Sequence, residues 1–186
     1  MNFDGYLKSI KLAGSHAKGT ALRDSDYDLF LTYSPQAPGP LSGIQKSLAD
    51  SFHGQIRNVS VRIAYKGLSV DLVPSRNNLL WQTRFNTWLK TDIDEQIRYV
   101  RESGCIDEIL ALKIWRRRHA LRFPSFLMEL AVIHARPKDF RAVLHFLATD
   151  FPTARLIDPG NSNNIVSDLL TEVEKLRIAR AALLGY

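Results

Sequence analysis

Apolar and polar positions alternate along three stretches of the first half of this chain and recur at helical spacing through most of the second. From Asp28 to Tyr33 the alternation predicts a strand with Tyr27, Leu29 and Leu31 on one face and Asp26, Asp28 and Phe30 on the other. Val59 to Tyr65 sets Val59, Val61, Ile63 and Tyr65 against Ser60, Arg62 and Ala64. Lys66-Gly67 then reads as a tight turn into Leu68 to Val73, giving a hairpin whose second strand keeps Ser69 and Asp71 off its apolar face. Ser9 to Ala13 reads as a strand and His16 to Arg23 as a short helical segment. Ser34 to Gly43 is a Pro/Gly-rich loop, and Leu41 to His53 a helix ending near Gly54. Pro74 is expected to end the sheet, with helical patterning from Asn77.

Thr91, followed by Asp92, Asp94 and Glu95, marks a helix start, with Ile93, Ile97 and Val100 as its buried stripe. Cys105 to His119, Pro124 to Ala135, Lys138 to Thr149 and Ser167 to Leu184 continue as amphipathic helices, interrupted only around Leu156 to Asn161. Trp81, Trp88 and Trp115 sit at helix-like positions and read as core, and Glu129 as a buried structural acid. The expected fold is α+β: a small mixed sheet over residues 1–90, then a helical bundle over 91–186, with a cleft between them.

The 186 residues are 45% hydrophobic and 24% charged, enough for a folded core. A net charge of +6 favours polyanionic partners, nucleotides or nucleic acids, as well as plain solubility. A single cysteine, Cys105, excludes an internal disulfide and a cysteine metal cluster, and a reducing cytoplasm is the simplest home. No run approaches the roughly 20 apolar residues of a membrane span, and the N-terminus lacks an export pattern, so no membrane partner is expected. The five histidines show no metal-ligand spacing.

The candidate chemistry lies between Ala13 and Tyr33. Asp26 and Asp28, two apart on an extended chain, project to one side and repel each other. Either one takes up a proton or a divalent cation lies between them; with no obvious shielding partner in the sequence, the cation is the better reading. Oxygen-only ligands suit Mg2+ or Mn2+. Just upstream, Gly14-Ser15 can bring backbone N–H groups and a hydroxyl close to phosphate oxygens. Lys18 reads either as a solvated surface lysine or as a contact to nucleotide or nucleic acid.

Gly14-Ser15, Lys18-Gly19-Thr20 and Ser25-Asp26-Tyr27-Asp28 running into apolar residues resemble the signature of the DNA polymerase beta nucleotidyltransferase superfamily. The Lys18-Gly19-Thr20 spacing and the later motifs resemble its branch of oligoadenylate synthetases, cyclic GMP–AMP synthase and bacterial cyclic-oligonucleotide synthases. The resemblance implies a third catalytic carboxylate on a neighbouring strand, and Asp71 in Ser69-Val70-Asp71-Leu72-Val73-Pro74 matches it. Leu112-Lys113-Ile114-Trp115 and Phe123 to Leu130 resemble the paired helices of the same branch, which implies that Lys113 and Ser125 hold the donor triphosphate. Ile157-Asp158-Pro159 resembles a C-terminal segment of that branch. The resembled enzymes carry a long N-terminal helix of which this chain, beginning at Met1, is short.

The expectation is therefore a nucleotidyltransferase that moves a nucleotidyl group from ATP or GTP to a hydroxyl with release of pyrophosphate. Two Mg2+ or Mn2+ ions about 3.5–4 Å apart would be held by Asp26, Asp28 and Asp71, with Gly14, Ser15, Lys18, Lys113 and Ser125 on the nucleotide. The favoured role is an oligonucleotide or cyclic-nucleotide synthase in antiviral or anti-phage signalling. The alternatives are an enzyme modifying an RNA end or a protein, and a non-catalytic nucleotide- or RNA-binding module. RNA as activator or acceptor and assembly into a homo-oligomer stay open. A lone basic side chain neutralising all three acids would undo the enzymatic reading.

Overall fold

The computed structural model describes residues 3–185 of the chain, which divides into two compact units at Ile93/Asp94. No described helix is long and apolar enough to cross a membrane.

In the first unit β1 (Leu7–Ala13) runs antiparallel to β2 (Tyr27–Tyr33), with the short α1 (Gly14–Lys18) in the connection. After α2 (Leu41–Phe52) the chain adds β3 (Gln55–Ile56), β4 (Val61–Tyr65) and β5 (Leu68–Ser75), giving a five-stranded sheet of order β1-β2-β5-β4-β3. The β2–β5 pair is parallel, while the other neighbours in this sheet are antiparallel. Lys66 and Gly67 both take positive φ, 48° and 81°, the two-residue turn whose twist suits a hairpin.

The period-two pattern sorts the residues onto the two faces of this sheet. Tyr27, Leu29, Leu31 and Tyr33 of β2 join Val61, Ile63, Val70 and Leu72 and the α2 residues Leu41 and Ile44 in one core. Phe30 and Val73, one position out of phase, pack with Ala13, Leu80 and Leu89 on the opposite face. Buried Gln45 of α2 is satisfied at both ends of its amide, donating to the Trp81 carbonyl and accepting from Thr83 Oγ1.

Two expectations are corrected in this unit. Pro74 does not end the sheet: it pairs with Leu31 inside β5. The ladder to β4 stops at Leu72, so the missing proline N–H falls where β5 has lost one of its hydrogen-bonded neighbours. Nor does the chain turn helical at Asn77. Asn77 and Asn78, both at positive φ, make a two-residue turn under an Arg76–Leu79 bridge. The hairpin of β6 (Leu79–Gln82) and β7 (Thr87–Lys90) follows. Trp81 and Trp88 meet edge to face across it at 5.2 Å, and Trp88 is 49% exposed rather than core.

The second unit holds α3 (Ile93–Arg101) from its second residue on, α4 (Ile106–Arg118), α5 (Ser125–Ala135), α6 (Phe140–Thr149) and α7 (Glu172–Leu184). The hairpin of β8 (Ile157–Asp158) and β9 (Asn161–Ile165) begins in the predicted interruption and outruns it, and with a 3-10 turn at Val166–Leu169 it delays the last helix to Glu172 instead of Ser167. Leu127 to Val132 of α5 are buried without a break, which makes α5 the central helix of a core built with Ile109, Leu112, Trp115, Val143, Leu147, Phe151 and Ile178. Asp158 is buried and fully engaged: its carboxylate accepts from Gln96 Nε2, Asn164 Nδ2 and the Gly160 N–H, so this segment locks α3 to the β8–β9 hairpin. α7 begins with a capping box between Thr171 and Glu174.

Candidate active site

Three carboxylates come together at one end of the parallel strand pair. Asp28 on β2 stands in register with Asp71 on β5, and partners in a parallel ladder project to the same face. That is the Phe30–Val73 face, not the α2 face, as the alternation along both strands requires. Asp26 precedes β2 by one residue and joins them through a common partner described below.

The loop carrying Asp26 is pinned from behind. The His16 ring stacks on Tyr27 at 4.0 Å, and its Nε2 lies 3.2 Å from the Ser25 carbonyl oxygen. That oxygen can only accept, so this nitrogen carries the proton. Ser25 Oγ in turn accepts from the Leu22 N–H at 2.9 Å. Gly14 sits at φ +57° where β1 enters α1, and a Cβ built there would lie 1.8 Å from Asp28 Oδ2. Only glycine admits both this backbone conformation and the carboxylate against it. Ser15 is the half-buried second residue of α1, and Lys18, its last, is buried rather than solvated.

The sequence reading found no shielding partner for these acids, and the structure supplies one: Arg62 of β4. Its Nε donates to Asp71 Oδ1 at 3.1 Å and its Nη2 to Asp71 Oδ2 at 2.6 Å. The same Nη2 reaches Asp26 Oδ2 at 2.5 Å. Asp28 receives no such bond from it, so two of the three acids are paired and the third is not neutralised directly. Asp28 shows the consequence: burial first, then the charges of Asp71 and Asp26, push its carboxyl up to about 6, against the smaller opposing pull of Lys18 and Arg62. The hairpin turn held the missed signal. A two-residue turn at Lys66-Gly67 sets Leu68 opposite Tyr65 and therefore Asp71 opposite Arg62.

Among the described residues no three His, Cys, Asp or Glu side chains stand ready to hold a metal ion, and Arg62 is paired with two of the acids. The donor set nevertheless fits a hard divalent cation: it is all carboxylate oxygen, converges on one face, and its electrostatic strain falls on Asp28. A concavity of about 820 Å³ in this unit lies elsewhere, against the α2 core, lined by Phe3, Tyr33, Ile44, Leu48 and Phe52.

The remaining two site candidates belong to the helical unit. Lys113 of α4 is buried with its Nζ 3.1 Å from Glu129 Oε1 of α5, so the expected structural acid has the expected phosphate ligand as its partner. Ser125 is exposed at the first position of α5.

Comparison with known proteins extends these observations. The chain aligns over 97% of its length with E. coli MS115-1 CdnC solved with ATP, covering 76% of that protein at 25% identity and a TM-score of 0.81. Elizabethkingia meningoseptica CdnE, a cyclic dinucleotide synthase solved with GTP and Apcpp, shares the fold over 100% of this chain and 87% of its own, at 14% identity and TM-score 0.73. The Cid1 poly(U) polymerase shares it over 98% and 82%, at 13% identity and TM-score 0.65. No curated protein matches the sequence. The family model of the nucleotidyltransferase domain matches residues 2–114, a span that takes in β2, β5 and all three acids, and the chain accordingly belongs to the nucleotidyltransferase family of enzymes.

Proposed function

We propose that this nucleotidyltransferase is an oligonucleotide or cyclic-nucleotide synthase that joins ribonucleoside triphosphates and releases pyrophosphate. The observation that carries the reading is the convergence of Asp26, Asp28 and Asp71 on one face beside the Gly14 turn, in a chain whose likeness to CdnC runs almost end to end. A hydroxyl of one nucleotide attacks the α-phosphorus of a triphosphate, the new P–O bond forms, and the bond to the pyrophosphate breaks. Asp26, Asp28 and Asp71 would hold Mg2+ or Mn2+, which supplies Lewis-acid polarisation of the phosphoryl oxygens and favours the alkoxide form of the attacking hydroxyl.

The chain's own residues provide placement and charge. Asp71 would help to activate the attacking hydroxyl, taking up its proton. Gly14 and Ser15 bring main-chain N–H groups and a hydroxyl to the triphosphate, and Lys18 adds a buried positive charge beside Asp28. For Lys113 and Ser125 the proposal is a contact to the triphosphate, drawn from the motif in which they stand; the triphosphate would then compete with Glu129 for the lysine ammonium. The product would serve as a signal in defence against viruses or phage.

A second reading rests on the fold shared with Cid1: addition of nucleotides to an RNA end. Incubation with each labelled triphosphate and Mg2+, with and without RNA, followed by chromatography and linkage-specific nucleases, separates the two. Small products from triphosphates alone support the synthase; products confined to the RNA support the transferase.

A further inference from the structure

Arg62 is an unusual neighbour for a carboxylate trio that is read as a cation site. Its guanidinium forks onto Asp71 through two nitrogens, and one of those nitrogens also bridges to Asp26. A single positive group thus holds together the carboxylate of Asp71 on β5 and that of Asp26 just ahead of β2, and makes no direct bond to Asp28, where burial and the charges of Asp71 and Asp26 outweigh the pull of Lys18 and Arg62. A divalent ion shared by Asp26 and Asp71 needs the same oxygens. Arg62 already occupies both oxygens of Asp71 and Oδ2 of Asp26, so an ion approaching these two acids meets a guanidinium on three of their four oxygens, and the two cations compete for the pair.

The geometry permits that exchange. Arg62, the second residue of β4, stands opposite Asp71, which fixes its backbone, while its side chain is 34% exposed, so solvent lies open to it once its bonds to the acids are given up. Once released, a planar guanidinium seeks another anion with paired oxygens, and phosphate is the group that fits its fork.

We infer that Arg62 is a stand-in cation: it holds Asp26 and Asp71 in place in the metal-free protein, yields them to the divalent ion, and then turns to a phosphate of the incoming nucleoside triphosphate. Metal and triphosphate therefore load together, each removing an obstacle to the other. This makes Arg62 a positioning residue, and the inference rests on the reading of the three acids as metal ligands.

The test is Mn2+ binding to the full chain, followed by electron paramagnetic resonance, without nucleotide and then with a non-hydrolysable ATP analogue. Without nucleotide, Arg62→Gln is expected to bind Mn2+ at least tenfold more tightly than the unaltered chain, and Arg62→Lys, which keeps the charge but loses the fork, to fall between. Adding the analogue should tighten Mn2+ binding more in the unaltered chain than in Arg62→Gln. Equal or weaker Mn2+ binding by a folded Arg62→Gln overturns the inference; if that variant does not fold, equal or weaker binding by Arg62→Lys does so. Asp28→Asn and Asp71→Asn separate the two levels. If both lose Mn2+ while Arg62→Gln binds as the unaltered chain does, the exchange fails and the metal site stands. If neither loses Mn2+, the metal reading fails and the inference falls with it.

Discussion

Asp28 and Asp71 stand directly opposite one another on the parallel strands β2 and β5, though 43 positions apart in the chain. A parallel pair requires a crossover, here supplied by α2, β3 and β4, and β4 delivers Arg62 to the same face. The site is thus assembled by sheet topology from segments that are local hairpins or turns taken alone.

Asp71→Asn keeps the size and much of the hydrogen-bonding capacity of the side chain but removes its charge and its basicity. The fold should stand, because Arg62 retains Asp26 and an amide oxygen as acceptors. Pyrophosphate release should fall on the order of 10³-fold. Steady-state turnover beside a thermal melt checks it, and turnover near the unaltered level would remove Asp71 from the mechanism.

The carboxyl of Asp28 is raised from 3.8 to about 6, so between those values the folded chain holds a proton that the unfolded chain has released. Stability from this group is therefore greatest at low pH and falls as pH rises from about 4 to about 6, by no more than about 3 kcal/mol. Asp28→Asn should flatten that slope in urea melts with chelator present, and make the metal-free chain the more stable one at pH 7.5. Mg2+ competes with the same proton, so its affinity in the unaltered chain should weaken as pH drops through about 6. Identical slopes in the two proteins would refute the assignment.

Gly14→Ala places a methyl where Asp28 Oδ2 now lies and a side chain at φ +57°. The backbone alone costs about 1–2 kcal/mol, and the carboxylate must move. A loss of turnover on the order of 100-fold is expected from a displacement of this size, with melting lowered by a few degrees. Gly5→Ala, with nothing near its Cβ position, serves as the control that should change neither.

Lys113 and Glu129 form a buried ion pair between α4 and α5. Glu129→Ala leaves an ammonium buried without its carboxylate and should cost about 3–5 kcal/mol in urea unfolding. Lys113→Met with Glu129→Leu replaces the pair by apolar side chains of similar volume and should be near neutral. If Lys113 contacts the triphosphate, this stable double variant will still bind ATP more weakly; unchanged affinity removes the lysine from the nucleotide site.

Much of the first unit can be read from alternation alone. Tyr27, Leu29 and Leu31 do join one core and Phe30 the other, because a strand leaves each side chain only two directions. In the second unit α3 and α6 follow the 3.6-residue period that predicts them, whereas α5, expected to be amphipathic, is buried continuously from Leu127 to Val132, and α7 begins at Glu172 rather than Ser167. The failures have specific causes. Around Asn77-Asn78 a turn signal lay inside an apolar stretch that could pass for a helix, and pairing of Trp81 with Trp88 settled it as a hairpin. At Pro74 the rule against proline in a strand did not apply, because the β4 neighbour had already ended.

The type of chemistry was narrowed locally: a glycine turn followed by two acids at strand spacing constrains what can bind there, since glycine opens the main chain and like charges at short range call for a cation or a proton. Which cation holds them in the resting protein was not local. Arg62 reaches Asp26 and Asp71, and Lys113 reaches Glu129, only because packed strands and helices bring together charges far apart along the chain, and at such distances pairing follows from topology rather than from spacing.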